Sequence, residues 1–393
     1  MKRCRLRGSS PQQKAWSPVS TVGSVLCYVV DMILADRVTQ CRAPFIVKDI
    51  ASGQLTGLNN TSAWREHLEN CAIRYVLRDD LVQLCAELAY SKGAGNIQCA
   101  DLLHAPAESF WVEWSNEPWR TALERYGFLL VNEGLQWVGR RGAFVRASSD
   151  GRRGLLRTFW SAQGECDVLA SSIEAYFDFD TLEGEEPSPP DGQEAEIRRV
   201  SDSAQRDDVL GRCFRFRFEK SWADYYGCAA LTPEQWEALW RHAIGTIAMD
   251  VPMLLTFLLL LISRSGLPQK RETHERLNAT RRRVGKPPLL EHVEVHAPLL
   301  PAYRSAPASD APHSHRRRPR LHHVRGHLVR RGNQLFWRVP HLRGSAQCGA
   351  VRSRTVVWTF DEPRAVRAAV ERAVEQATVA RHTATPPTPK HHR

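Results

Sequence analysis

Five short segments dense in aromatic and branched residues follow one another between positions 109 and 179. They are Ser109-Phe110-Trp111-Val112-Glu113-Trp114, Tyr126-Gly127-Phe128-Leu129-Leu130-Val131, Gly142-Ala143-Phe144-Val145, Leu155-Leu156-Arg157-Thr158-Phe159-Trp160 and Ala175-Tyr176-Phe177-Asp178-Phe179. Side chains of this kind favour a pleated surface, and Gly-containing breaks between most of them predict an antiparallel meander. Cys213-Phe214-Arg215-Phe216-Arg217-Phe218 extends the series with Phe and Arg in alternation. That pattern predicts an amphipathic strand with Phe inward and Arg outward; the functional alternative is an Arg-lined ligand face.

Helical periods frame the strands. Residues 22–40 read as a helix, and so does 63–92, where Trp64, Leu68, Cys71, Ala72, Tyr75, Val76, Val82, Cys85 and Leu88 recur at three- and four-residue steps. Thr232-Pro233-Glu234-Gln235 starts another, with a capping hydroxyl, Pro in the first turn and acids after it. The Leu-rich run Val251 to Ile262 holds twelve residues between Asp250 and Arg264. A membrane span needs about 20 apolar residues, so the run is expected to be a buried core helix, and no membrane partner is expected.

The fold class that follows is α+β. It comprises a helical N-terminal part, a central antiparallel sheet with packed helices, and a small basic C-terminal β unit with a terminal helix. The expected organisation is a disordered N-terminus at 1–21 and an α+β body at 22–266, which contains a mobile acidic loop at 183–208. A basic connecting segment and strand follow at 267–300, then a Pro/Arg/His-rich linker at 301–319. A basic β unit over 321–360 with a helix near 362–379 fills 320–380, and 381–393 is a disordered tail.

Ten cysteines are scattered singly, with no C-x-x-C pair, which fits reduced thiols in a cytosol-like compartment better than a disulfide framework. The basic residues at Met1–Arg7 precede Gly8-Ser9-Ser10-Pro11 and not an apolar stretch of signal-peptide length. A cytoplasmic location is therefore expected.

Charge is segregated. Residues 264–393 hold 26 Lys/Arg against 9 Asp/Glu, about +17, in a chain of net charge +11, so residues 1–263 are about −6. The densest part, Arg316-Arg317-Arg318-Pro319-Arg320 through Arg325-Gly326-His327 to Arg330-Arg331, runs straight into Gln334-Leu335-Phe336-Trp337-Arg338. Guanidinium groups pair with phosphate or carboxylate, and aromatic rings stack on bases. Candidate binding residues are Arg325, His327, Arg330, Arg331, Trp337 and Arg338, with Arg281, Arg282, Arg283 and Lys286 as a second patch. The partner would be RNA or an acidic protein surface; the bland alternative is a solvated basic linker beside ordinary strands.

Catalytic motifs are sparse. Twelve of the 15 histidines lie after residue 264, and His322, His323 and His327 cluster, yet no acid lies between Asp310 and Asp361 to orient a metal ligand. No metal or other cofactor is assigned. Gly285-Lys286 lacks the frame of a phosphate loop, and G-x-S-x-G, H-E-x-x-H and G-x-G-x-x-G are missing. Asp167, Asp178, Asp180, Glu183, Glu185 and Glu186 could gather a divalent cation, but acids beside a mobile loop more often solvate it. The alternatives to a binding protein are a metal-dependent nuclease-like enzyme using the late histidines and a phage structural or assembly protein.

Over about 250–360 the order of features resembles a family of phage and mobile-element proteins that includes type V anti-CRISPR inhibitors. The Leu-rich helix ending near Gly266 leads into Arg276-Leu277-Asn278, then Arg281-Arg282-Arg283-Val284-Gly285-Lys286-Pro287-Pro288-Leu289, then a late His-x-x-Arg-Gly-His element. The family's late element reads near H-I-R-R-G-H-W; His322, Arg325, Gly326 and His327 match it, and His323, Val324 and Leu328 depart. The resemblance implies a phage- or prophage-type counter-defence protein in a bacterial host. Such an inhibitor lowers production of the effector nuclease by acting on its nascent chain and message.

Overall fold

The computed structural model describes residues 32–41, 45–48, 55–58, 61–90, 99, 101–126, 138–162, 168–181, 197–198, 209–227, 231–264, 266–298, 320–324, 326–339, 341–343 and 345–350. The chain divides into two units, Met1–Asp31 and Met32–Arg393, and every described residue belongs to the second.

In chain order, α1 (Leu34–Gln40), β1 (Phe45–Lys48), β2 (Leu55–Leu58), α2 (Thr61–Glu69), β3 (Ile73–Leu77) and α3 (Asp79–Tyr90) come first. The middle of the chain forms β4 (Ser109–Ser115), α4 (Asn116–Arg125), β5 (Val138–Ala147), β6 (Arg153–Ala162), β7 (Val168–Ala170), β8 (Ile173–Asp178), α5 (Val209–Cys213), β9 (Phe214–Phe218) and α6 (Lys220–Gly227). Then come α7 (Pro233–Ala248), α8 (Val251–Ile262), β10 (Gln269–Glu272), α9 (Glu275–Arg283), β11 (His292–Val295), β12 (Arg320–Val324), β13 (His327–Arg331), β14 (Gln334–Arg338), β15 (His341–Arg343) and β16 (Ser345–Ala350).

The α+β class holds, with one adjustment: the central sheet is mixed. Eleven strands run β10-β11-β3-β4-β5-β6-β7-β1-β2, with β8 joining β6 to β9. The expected antiparallel meander is present at β4-β5-β6. Beside it, β3 lies parallel to both β4 and β11. Of the strand segments expected from sequence, 127–131 lies outside the described residues.

Both faces of the central strands are covered. On β4, Phe110, Val112 and Trp114 face one apolar cluster, shared with α3, α4, α7 and α8. Trp111 faces a second, shared with α1 and α2. Alternating residues of β5 divide in the same way, Ala143 and Val145 to the first cluster and Phe144 to the second. A strand buried on both faces reads as a near-continuous apolar run, as Phe110 to Trp114 does apart from Glu113.

The apolar run Val251–Ile262 is a buried helix, with Val251 and Met253 to Leu260 all inside. The stretch Pro233–Ile262 would by length and composition suffice to cross a membrane, yet 67% of its apolar window is buried within the protein. The helix before it begins at the expected cap: the Thr232 hydroxyl accepts from Gln235 N–H and the Gln235 side chain accepts from Thr232 N–H.

Two expectations are corrected. Residues 63–92 are not one helix, because Ile73-Arg74-Tyr75-Val76-Leu77 leaves the helical path and pairs with β4, Tyr75 opposite Val112. The Phe/Arg strand does not turn its arginines outward: Arg215 and Arg217 are both buried. Arg215 donates to the carbonyls of Gly211, Arg212 and Phe214, closing the end of α5, and Arg217 pairs with Glu174 at 3.2 Å. These contacts make both groups structural and leave no Arg-lined ligand face.

The expected helix near 362–379, the linker 301–319 and the tail 381–393 lie outside the described residues, as does most of 183–208. Cys41, Cys71, Cys85, Cys99 and Cys213 are free thiols, all but Cys41 buried.

Candidate anion-binding surface

The second predicted patch sits on α9 and the turn behind it. Glu275 lies in the first turn of α9 and Arg281, Arg282 and Arg283 in the last, which matches each charge to the nearer end of the helix dipole. The helix closes in a Schellman turn. Lys286 N–H donates to Arg281 O at 2.9 Å and Gly285 N–H to Arg282 O at 3.1 Å, with Gly285 at φ +68°. The paired positions that usually meet as an apolar contact in this motif are here two cations, Arg281 and Lys286.

Asn278 fastens the returning chain. Its Nδ2 donates to Leu289 O at 2.9 Å and its Oδ1 accepts from Leu289 N–H at 2.7 Å. Arg281 is taken up by the framework, donating to Pro287 O at 2.7 Å and to Gln40 Oε1 of α1 at 3.2 Å. Next to it, Leu290 N–H donates to Asp36 Oδ1 at 2.7 Å. Burial pushes Asp36 up to about 7, reinforced by Glu113 and opposed by the Leu290 N–H, Arg281 and Arg74. Arg282, Arg283 and Lys286 remain exposed, and none of the three forms an ion pair among the described residues.

The first predicted patch is on the hairpin β13–β14. Its strands pair from His327 opposite Arg338 to Arg331 opposite Gln334, and Gly332 at φ +60° makes the turn. The hairpin docks by one face: Leu335 and Trp337 are 3% and 5% exposed and enter the same apolar cluster as α8. Arg264 N–H, just past α8, donates to Leu335 O at 2.9 Å. Trp337 is therefore a core residue, and its ring is not presented for stacking on a base.

Arg330 is committed as well, in a two-armed pair with Asp101 at 2.9 and 2.6 Å. Arg331 lies 5.8 Å from the Phe336 ring, with Arg264 at 6.0 Å from the same ring. His327, Arg331 and Arg338 are exposed, and Arg325 lies outside the described residues. The nine described residues of the ten predicted thus separate into two regions with different fates. The α9 end and its turn present Arg282, Arg283 and Lys286 and commit Arg281; the hairpin spends its Trp and one Arg on docking.

Among the described residues no three His, Cys, Asp or Glu side chains come together as a metal site. His322 and His327 lie in different small sheets. An apolar cavity of about 20 Å³ beneath α8, lined by Phe110, Val112, Phe177, Phe214, Leu254 and Leu258, has room for about one water and no polar group to hold a substrate.

Sequence reasoning did not anticipate two buried polar centres. Glu113 is fully buried and accepts from Leu34 N–H, Ala35 N–H and Trp111 Nε1–H at 2.9–3.0 Å and from Arg140 at 2.7 Å. Arg141 meets Asp250 in the other layer. The only sequence sign of either was a charged residue inside an otherwise apolar run. Comparison with protein-family models, with curated proteins and with solved structures returned no match.

Proposed function

We propose that the chain acts by binding an anionic partner, RNA or an acidic protein face, through the basic end of α9 and the turn behind it. The observation that carries this reading is the exposure of Arg282, Arg283 and Lys286 within five positions, on a backbone locked by the Schellman turn and by Asn278. Cations on a fixed backbone bind phosphate or carboxylate without also having to order the chain that carries them. The +17 of residues 264–393 supplies the longer-range attraction. The likeness over 250–360 supports a phage- or prophage-type accessory role in the cytoplasm of a bacterial host, lowering production of a type V effector nuclease through its nascent chain or message.

The test is a titration of the full chain with a fluorescent single-stranded RNA and with a Glu-rich peptide, from low to high salt. The triple variant Arg282→Gln, Arg283→Gln, Lys286→Gln should lose roughly tenfold or more in affinity and show a flatter salt dependence. Equal binding by variant and wild type would remove α9 as the site. Co-expression with a type V effector nuclease should lower effector protein levels; unchanged levels would reject the counter-defence role alone.

A further inference from the structure

Leu277 and Val284 are the large apolar residues that stand out in solvent among the described residues, 50% and 63% exposed. Both belong to one element, seven positions apart, at the start and at the C-cap of α9. Thr280 lies between them, exposed, with its hydroxyl turned back onto Arg276 O at 3.2 Å. The steps of three and four residues place Leu277, Thr280 and Val284 along a single stripe, the a–d–a seam of a helix that pairs with another helix. Arg276 and Arg283 fall at the g positions flanking that seam, both exposed, and Lys286 extends the charge past its end. The body is held beside that stripe, through Asn278 to Leu289 and through Arg281, one turn after Leu277, to Gln40.

We infer that the outer face of α9 docks an acidic amphipathic helix of a partner protein, its apolar residues meeting Leu277 and Val284 and its flanking Glu or Asp meeting Arg276, Arg283 and Lys286. This rests on the reading of α9 as a binding surface and narrows its partner to protein. Aliphatic side chains do not stack on bases, so a surface built for RNA would gain nothing from two of them set on the contact stripe. A helix partner gains from both parts of the face: burial of the aliphatics adds affinity, and the basic border sets the orientation of an acidic partner.

The probe is a synthetic helical peptide with Leu at a and d and Glu at e and g, compared with the same peptide carrying Ser at a and d, and with an RNA oligomer of equal charge. Binding to the full chain is read by fluorescence anisotropy. The Leu peptide should bind at least roughly tenfold more tightly than the Ser peptide, and Leu277→Ser with Val284→Ser should close most of that gap. The double variant alters only exposed side chains, so an unchanged Tm shows that it is folded. Equal affinity for both peptides overturns the inference. So does RNA binding that the double variant leaves intact while the Leu peptide fails to bind; in that case the anionic-partner reading stands. If no probe binds, both fall.

Discussion

Arg141 and Asp250, 109 positions apart, meet in the interior with one guanidinium nitrogen 3.0 Å from each carboxylate oxygen. Arg141 Nε donates to Asn116 Oδ1 at 2.7 Å, and the guanidinium lies 4.0 Å from the Trp119 ring centre. The pair joins β5 to the N-cap of α8, the most apolar of the described helices, and so helps to position it. Burial pushes Asp250 up to about 6 and lowers Arg141, while their mutual attraction opposes both shifts. Removing one partner strands the other charge in the core. Asp250→Ala should cost about 3–5 kcal/mol in denaturant unfolding, whereas Arg141→Met combined with Asp250→Leu should recover most of it. A double variant as unstable as the single one would show that the pair is not the centre of this contact.

Glu113 holds α1 against β4 by accepting from donors on every side. Glu113→Gln would turn an amide NH2 toward backbone and indole N–H groups that also donate, and would leave Arg140 without its carboxylate. A loss of about 2–4 kcal/mol is expected, with amide exchange accelerated first in residues 34–40. Uniform acceleration over the whole sheet would instead mean that α1 is not a separately releasable element.

Much of the sheet could be read from side-chain chemistry, because β4, β5, β6, β8 and β9 are rich in residues that suit a pleated surface. Strand β3 was hidden for a physical reason. Ile73 to Leu77 is covered by helices on both faces, so its apolar spacing satisfies a helical pattern as well as a strand pattern. Only pairing with β4, over thirty positions away, decides between them. The arginines of β9 misled in the opposite way: alternation predicted an outward face, but carbonyls at the end of α5 and Glu174 satisfy those charges inside. Charge segregation marked α9 and the hairpin together. Whether a cation is free or committed depends on a remote partner such as Asp101, which no local pattern shows.

Asp36 makes stability fall as pH rises through the acid range. Its value is 3.8 when unfolded and about 7 when folded, so between those limits the folded state holds a proton that the unfolded state has released. The stabilisation is complete below about 4 and is lost as pH approaches 7; above that it no longer changes. Asp250 adds the same sign over a narrower window, up to about 6. Asp36→Asn keeps an oxygen for the Leu290 N–H and removes the ionisation. It should therefore be more stable than wild type at pH 8, by an upper bound of ~4 kcal/mol, with the difference shrinking toward pH 4. Thermal unfolding of both proteins across that range checks it, and a difference that grows on acidification would reverse the assignment.

Two glycines should respond in opposite directions to the same change. Gly142 lies opposite Glu113 on β5, and a Cβ there would collide with the Trp111 ring. Gly142→Ala should destabilise by about 1–3 kcal/mol, because the ring is packed on all sides. Gly245 is inside α7, and an added Cβ would meet nothing within 4 Å. Gly245→Ala should stabilise by about 0.5–1 kcal/mol by restricting the unfolded chain. Urea melts of the two variants distinguish a packing constraint from a general effect of replacing glycine.

Binding should depend on the shape of the α9 turn as well as on its charge. Gly285→Ala forces a side chain into the φ +68° conformation, at a cost of about 1 kcal/mol, and loosens the bonds that Lys286 and Gly285 make back to α9. Asn278→Ala removes both hydrogen bonds to Leu289 and frees the segment 284–289 from its anchor. Neither change alters a charged residue. If preorganisation matters, each should weaken binding of an acidic helical peptide by roughly three- to tenfold while leaving the salt dependence as steep as in the wild type. Faster amide exchange at Leu289 with unchanged affinity would show that the cations act as a diffuse field and not as a shaped surface.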